Sequence, residues 1–337
     1  MDKQFKMDLQ LFALTEIPAA LVEKVWRNEL FTAVMNTIYF ARFTGTSQQS
    51  VIQKVDNLKK AAGDRVTIPL LLKLKGQGVK NDAVLEGNEE ALEYRDFAVM
   101  VEQIRHGVRI KGRYEEQKTA LKMRADAKNA LATWWAELLD KMIFEALSAA
   151  PTANRVIRAG NAATTGAITP TNVFTAELIG ICKRKALMDE VGMRPIKIDG
   201  KNHFVMVIDP YQARDLKNDT KWLDAQKHAN VRGNENPIFS GALGMWDNVI
   251  VHENEGVIRA NSGNNTMVGH ALFLGAQAGV MAMAQEQEWA EDLFDYKNSY
   301  GVSTSVILGI GKTRFNIDGT NAEDFACINV LTASVAD

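Results

Sequence analysis

The segment from Arg65 to Lys111 constrains the fold most. Val66, Ile68, Leu70, Leu72 and Leu74 share one parity, and Arg65, Thr67, Pro69 and Lys73 the other. That two-residue period is a strand with one apolar face. Pro69 has no N–H to give a neighbour, so the strand belongs at an edge or in an exposed ribbon. A polar connection from Gly76 to Glu93 carries Asp82, Glu86, Glu89, Glu90 and Glu93. A second strand then spans Arg95–Lys111, and its apolar parity switches from Phe97, Val99 and Val101 to Ile104, Val108 and Ile110. A slip of one residue exchanges faces, so this strand is expected to bulge or twist near Glu102–Gln103 and enter new surroundings. The product is a long hairpin with an acidic tip. Two strands alone are marginal in water, so the apolar face needs a partner.

The clearest helix follows, over residues 114–148. Leu131, Trp134, Leu138, Met142 and Ala146 set its stripe, broadened by Trp135, Leu139, Ile143 and Leu147. No proline or glycine interrupts it, and at ~1.5 Å per residue it reaches roughly 50 Å. Ahead of the hairpin, Leu21, Val22, Val25, Trp26, Leu30, Val34 and Ile38 recur at helical spacing behind Pro18, which reads as a short amphipathic helix with an extended leader. Downstream, Thr169-Pro170-Thr171 is expected to cap a helix over 172–190, His203–Asp209 to form a buried strand, and Pro210 to start a helix ending near Leu216. Residues 217–240 read as polar and helix-poor. Turn-and-strand patterns follow at Gly244–Val251, Leu272–Leu274, Val280–Ala284, Val302–Ile310, Arg314–Ile317 and Ala326–Leu331. Long helices mixed with antiparallel-looking strands predict an α+β fold.

Chemistry is scarce. A net charge of −2, from 39 basic and 41 acidic side chains, excludes a polycation that holds nucleic acid by bulk electrostatics. No apolar run reaches the ~18 residues of a membrane span; the best, Ala271–Ala284, contains Gln277 and two glycines. No lysine-led apolar leader opens the chain, so folding in a cytosol is expected. Cys182 and Cys327 form no CxxC pair and read as small buried apolar groups. Gly311-Lys312-Thr313 mimics the end of a phosphate-binding loop, but Val306 stands where that motif needs glycine, and a strand pattern follows. The five histidines include no HExxH, and His252-Glu253 with Glu255 reads as an exposed polar turn rather than a metal site. Gly301-Val302-Ser303-Thr304-Ser305 lacks the closing glycine of a nucleophile elbow. Lys118, Lys122, Arg124 and Lys128 form a basic cluster, read as a solvated helix face before a nucleic-acid contact. No catalytic residue, cofactor site or metal site emerges.

An arm, a long hairpin, an unbroken helix, an α+β centre and a return to strands resemble the major capsid protein of tailed bacteriophages. Several stretches are similar to the coat family of N-four-like podophages: Ala271-Leu272-Phe273-Leu274-Gly275-Ala276-Gln277-Ala278, Asp295-Tyr296, Gly301-Val302-Ser303, Gly309-Ile310-Gly311-Lys312-Thr313-Arg314-Phe315 and Asp324-Phe325-Ala326-Cys327-Ile328-Asn329-Val330. The opening Phe5–Ala13 resembles the starts of coat and scaffolding proteins in phages of Gram-positive hosts. The resemblance implies an N-terminal arm (1–44), an extended loop (45–112), a peripheral domain with a spine helix (113–165), an axial domain (166–294) and peripheral return strands (295–337).

It further implies a virion subunit, assembled in the bacterial host cytoplasm as pentamers and hexamers of an icosahedral head. Packaged double-stranded DNA would be enclosed rather than tightly bound, without membrane or cofactor. About forty residues precede the hairpin, too few for a fused scaffolding segment, which implies a separate scaffolding protein, or none, and a portal as partner. Phe5, Leu11, Phe12, Leu70, Leu72, Val84 and Leu85 are the expected assembly contacts. Lys73, Lys75 and Lys80 are available for the cross-link some members make, with no partner assignable. The rivals are a bacterial nanocompartment shell of the same fold and, from another class, a cytosolic α+β enzyme.

Overall fold

The computed structural model describes residues 29–336, except 31, 35–36, 57–64, 72–77, 82–83, 113, 115–117, 119–122, 189–192, 199, 229–241, 263–264, 297 and 317–321. Strands β1 (Thr44–Gly45) and β2 (Ile52–Val55) lead to the hairpin, β3 (Arg65–Leu71) and β4 (Tyr94–Met100). The latter two pair antiparallel as a separate ribbon, with Pro69 opposite Asp96. After a break at Val101, β5 (Glu102–Ile110) leaves the ribbon for another sheet. The expected change of surroundings is therefore one residue of broken ladder.

Helix α1 covers Met123–Ser148; of the residues expected to extend it back to 114, Tyr114 and Lys118 are helical and 115–117 and 119–122 lie outside the described residues. Its phase differs from the expected one. Leu131, Trp135, Leu139, Ile143 and Leu147 are buried, whereas Trp134, Leu138, Met142 and Ala146 are half-buried. The buried line therefore lies one residue, about 100°, round the helix from the stripe read in the sequence. Both rows are apolar because α1 has neighbours on both. The Trp135 Nε1–H donates to Thr304 Oγ1 at 2.6 Å, and Trp134 stacks on His106 with ring centroids 4.1 Å apart. The preceding helical turns also dock on their own chain: Leu30, Val34 and Ile38 are buried, and the Asp140 carboxylate accepts from the Tyr39 and Phe40 amides at 2.8 and 3.2 Å.

Beyond α1 come β6 (Val156–Arg158), α2 (Ala176–Met188), β7 (Ile196–Ile198) and β8 (Lys201–Ile208). Helix α2 starts later than expected, because Thr169 and Asn172 close a turn of their own and Asp219 Oδ2 accepts from the Ala176 amide at 2.8 Å. Helix α3 (Pro210–Asn218) carries a full capping box between Asp209 and Gln212. It is followed by α4 (Thr220–His228), in a stretch read as helix-poor. Asp219 starts α4 by accepting from the Lys221 amide, and Trp222, buried, holds it against Trp246. The chain continues through β9 (Ala242–Trp246), β10 (Val249–Glu253), β11 (Arg259–Asn261), β12 (Met267–Leu274), β13 (Gly279–Phe294), β14 (Ser299–Lys312), β15 (Arg314–Phe315), β16 (Glu323–Asp324) and β17 (Cys327–Ala333).

Two large sheets organise these strands. One has the order β1-β2-β13-β14-β5; the other is eight-stranded, with the path β6-β17-β12-β8-β10-β9. Sheet membership redraws the expected boundaries. A division at 294/295 would cut the β13–β14 hairpin, and β17, expected among peripheral strands, pairs with β12 and β6 in the other sheet. Strand β13 runs far beyond the expected Val280–Ala284, because β14 supplies a ladder for its polar half as well.

The N-terminal end of α1 is tied to this hairpin by Glu291. Its carboxylate accepts from Arg124 at 2.6 Å and from Trp289 Nε1 at 2.7 Å. Burial alone would raise the Glu291 pKa; hydrogen bonds from Tyr300, Arg124 and Trp289, with the Arg124 charge, outweigh it and leave the value lowered. A lowered carboxylate adds stability above the ordinary value of 4.5 and loses it as pH falls through the lowered one. The stability gap between wild type and Glu291→Gln should therefore be widest near neutrality and close in acid, as urea melts across pH would show. In the same assay Trp135→Ala should cost about 3–5 kcal/mol and Trp134→Ala clearly less; equal losses would place both rows in the core.

Candidate assembly surfaces

The hairpin divides into a root and a tip. At the root, Val66, Ile68 and Val99 pack with Val55, Val280 and Ala282 of the subunit itself. Leu70 is 2% exposed and joins the main core. This corrects the expectation for Leu70: its face needs cover, but its own chain supplies it. Leu72, like Phe5, Leu11, Phe12, Lys73 and Lys75, lies outside the described residues. The other two expected contacts are at the surface, Val84 at 67% and Leu85 at 59% exposure, joined by Leu92 and Tyr94. The tip holds its shape locally: the Asn88 amide donates to the Leu85 carbonyl at 2.9 Å and the Asn88 side chain to the Val84 carbonyl at 2.9 Å.

Where the ribbon leaves the body, β4 crosses β14 main chain on main chain. A Cβ at Gly309 would overlap the Met100 carbonyl oxygen, and one at Gly311 would press on Val99 Cγ2 at 3.2 Å. The two glycines of Gly309-Ile310-Gly311, inside β14, are thus needed for close approach, not for phosphate. Lys312, next in line, is buried: its Nζ lies 2.7 Å from Asp324 Oδ2 and donates to the Ala149 carbonyl at 2.8 Å. Arg314 Nε donates to Asp324 Oδ1 at 2.8 Å, and the Thr152 amide to Oδ2 at 3.0 Å. A buried carboxylate with two cations and an amide is structural.

The other chemistry-bearing residues are likewise dispersed or engaged. Both thiols are fully buried, and burial pushes Cys182 and Cys327 up to about 12, far from a nucleophilic thiolate. His252, read as part of an exposed turn, is instead inside β10, fully buried and edge-on to Tyr39 and Phe43. Among the described residues no group of three His, Cys, Asp or Glu side chains is placed to hold a metal ion. No described helix is long and apolar enough to cross a membrane. The basic cluster is partly spoken for: Arg124 by Glu291, Lys128 by Glu29 at 2.7 Å, and Lys118 over the Tyr114 ring at 3.9 Å. Lys122 lies outside the described residues.

Sequence reasoning missed one exposed apolar group, Leu293, Phe294 and Tyr296, at the β13–β14 turn. Asp295 and Tyr296 both take positive φ there, 52° and 49°. Nothing in the composition of Asp295-Tyr296 shows that the large side chains of Leu293, Phe294 and Tyr296 stay exposed.

Comparison with known proteins agrees with this architecture. Residues 17–336 match a family model described as phage capsid protein. The major capsid protein of Pseudomonas phage KPP25 is 29% identical over 92% of this chain and 94% of its own. In three dimensions the chain is similar to the capsid of Ralstonia phage GP4, with a TM-score of 0.81 and 30% identity over 89% of this chain and 92% of that one. It is also similar to the cyanophage Pam1 capsid, with a TM-score of 0.72 and 25% identity over 88% and 92% of the two chains. These relatives are structural proteins rather than enzymes, their fold is that of tailed-phage capsids, and the chain belongs to the phage capsid protein family.

Proposed function

We propose that the chain is the major subunit of an icosahedral phage head, in which many copies, grouped as pentamers and hexamers, enclose double-stranded DNA. The observation that carries this reading is the hairpin: its root is buried in its own subunit, while Val84, Leu85, Leu92 and Tyr94 beyond it are more than half exposed among the described residues. Such a projection is stabilised by neighbours. The match to a capsid family over nearly the whole chain supports the same reading. So does the engagement of Arg124 and Lys128 by the subunit's own carboxylates, which favours enclosing DNA over gripping it.

In this reading α1 and the β1-β2-β13-β14-β5 sheet form the peripheral domain, and the eight-stranded sheet with α2, α3 and α4 the axial domain. The arm and the extended loop reach from the peripheral part. Assembly takes place in the bacterial host cytoplasm, with a separate scaffolding protein and a portal as partners. The product is the virion capsid.

Negative-stain images of the purified chain should show closed shells or capsomers; a stable monomer at high concentration would sink the reading. Variants separate folding from assembly. Val84→Asp and Leu85→Asp should shift stability by less than ~0.5 kcal/mol, as exposed changes do, and lower the particle count. Leu70→Asp places a carboxylate in the core and should prevent folding, judged by circular dichroism and soluble yield.

A further inference from the structure

Gly180 stands inside α2, where a helix tolerates glycine poorly. Its missing side chain contributes to a hollow of about 550 Å³ between α2, the start of α4 and the β9–β10 turn, the size of a small-ligand site. Ala176, Gly180, Met245 and Trp246 line it together with Arg184. Its walls are fixed. Asp219 accepts from the Ala176 amide at 2.8 Å and from the Lys221 amide at 3.0 Å, so one carboxylate sets the first turns of both helices. Asp247 and Asn248 take positive φ, 47° and 61°, in the tight turn between Trp246 and Val249, and Trp246 is stacked on Trp222. Lys183 pairs with Asp247 at 2.6 Å and Lys221 with Glu177 at 3.2 Å. On α2 the two pairs start at residues 177 and 183, about 9 Å apart. The hollow is short and bounded by an ion pair at either end.

Arg184 is exposed and makes no hydrogen bond or ion pair among the described residues. A Cβ at Gly180 would lie 3.4 Å from its Nη1, so the guanidinium rests beside the bare stretch of helix. Neighbouring charges do not answer it. Glu177 and Asp247 are held by the two lysines, both oxygens of Asp219 face amides, and Lys185 and Asp224 are engaged as well. The attraction is therefore local to one guanidinium, whose planar fork suits a carboxylate. Apolar surface adjoins it. Met188, in line with Gly180 and Arg184 at helical spacing, is 85% exposed, and Met245 is 49% exposed. Methionines adapt to the shape of an apolar guest.

We propose that this hollow captures the C-terminal carboxylate of another protein's chain, with Arg184 on the carboxylate and the last, bulky apolar side chain over Trp246 and Gly180. A chain end is favoured over a passing strand because ion pairs bound both ends of the hollow. The site goes beyond the shell reading and does not depend on it.

N-acetyl-phenylalanine, which carries both groups, is the probe, and its amide, which lacks the charge, is the control. Saturation-transfer NMR on the purified full chain should show saturable binding of the acid with a Kd of about 1 mM, an ordinary strength for so small a ligand. The amide on wild type, and the acid on Arg184→Gln, should each bind about tenfold or more weakly. Gly180→Leu favours the helix and fills the hollow, so it should abolish binding while melting near wild type. These results support the site. No saturable binding to wild type, equal binding of acid and amide, or undiminished binding to either folded variant overturns it. If a variant fails to fold, the comparison of acid with amide on wild type decides alone. Closed shells that no longer bind what the unassembled chain binds also overturn it, since a second copy of this chain then covers the hollow. None of these outcomes bears on whether the chain forms shells.

Discussion

A single buried carboxylate holds the junction on which the architecture turns. Asp324 is 1% exposed, and around it gather Lys312 from the end of β14, Arg314 from β15 and the Thr152 amide from the turn after α1. Lys312 also reaches the Ala149 carbonyl, just past the last turn of α1, where a cation complements the helix dipole. Strand β14 belongs to one large sheet, and the chain runs from Asp324 directly into β17 of the other. The helix and both sheets thus meet at one ion group. Such a group contributes geometry more than net stability: removing either sign leaves an uncompensated charge, so only one arrangement of the three elements satisfies all of it.

Much of the fold is legible in the sequence wherever one face of an element is wet. The alternation through Val66, Ile68 and Leu70 and the parity switch after Val101 mark β3, β4 and β5, because the two faces of each strand meet different solvents. Legibility fails where an element has neighbours on both sides. Trp134 and Trp135 are equally apolar letters, and only the presence of Thr304 on one side and His106 on the other tells which is core. Helix α4 was hidden for another reason. Among its described side chains, Trp222 is the buried anchor and Asp219 supplies the cap, and neither is part of a repeating apolar stripe in the sequence.

The candidate surfaces were less legible still. A sequence records that Leu70 and Leu85 are leucines, but one joins the main core and the other stays at the surface of the tip, while β2 and β13, more than two hundred residues apart, arrive beneath the root at Val66 and Ile68. Long-range packing of this kind leaves no local trace.

At Gly309 one main chain rests on another, with the Val99 side chain beside it against Gly311, so backbone contact at this crossing of β4 and β14 helps to set the angle at which the ribbon departs. Backbone spacing is a constant of the polypeptide, whereas side-chain volume drifts with every substitution. The aim of the hairpin is therefore set at its root and separated from the identity of the residues in its tip. Over evolutionary time a lineage built this way can rewrite what the tip recognises while leaving its trajectory untouched.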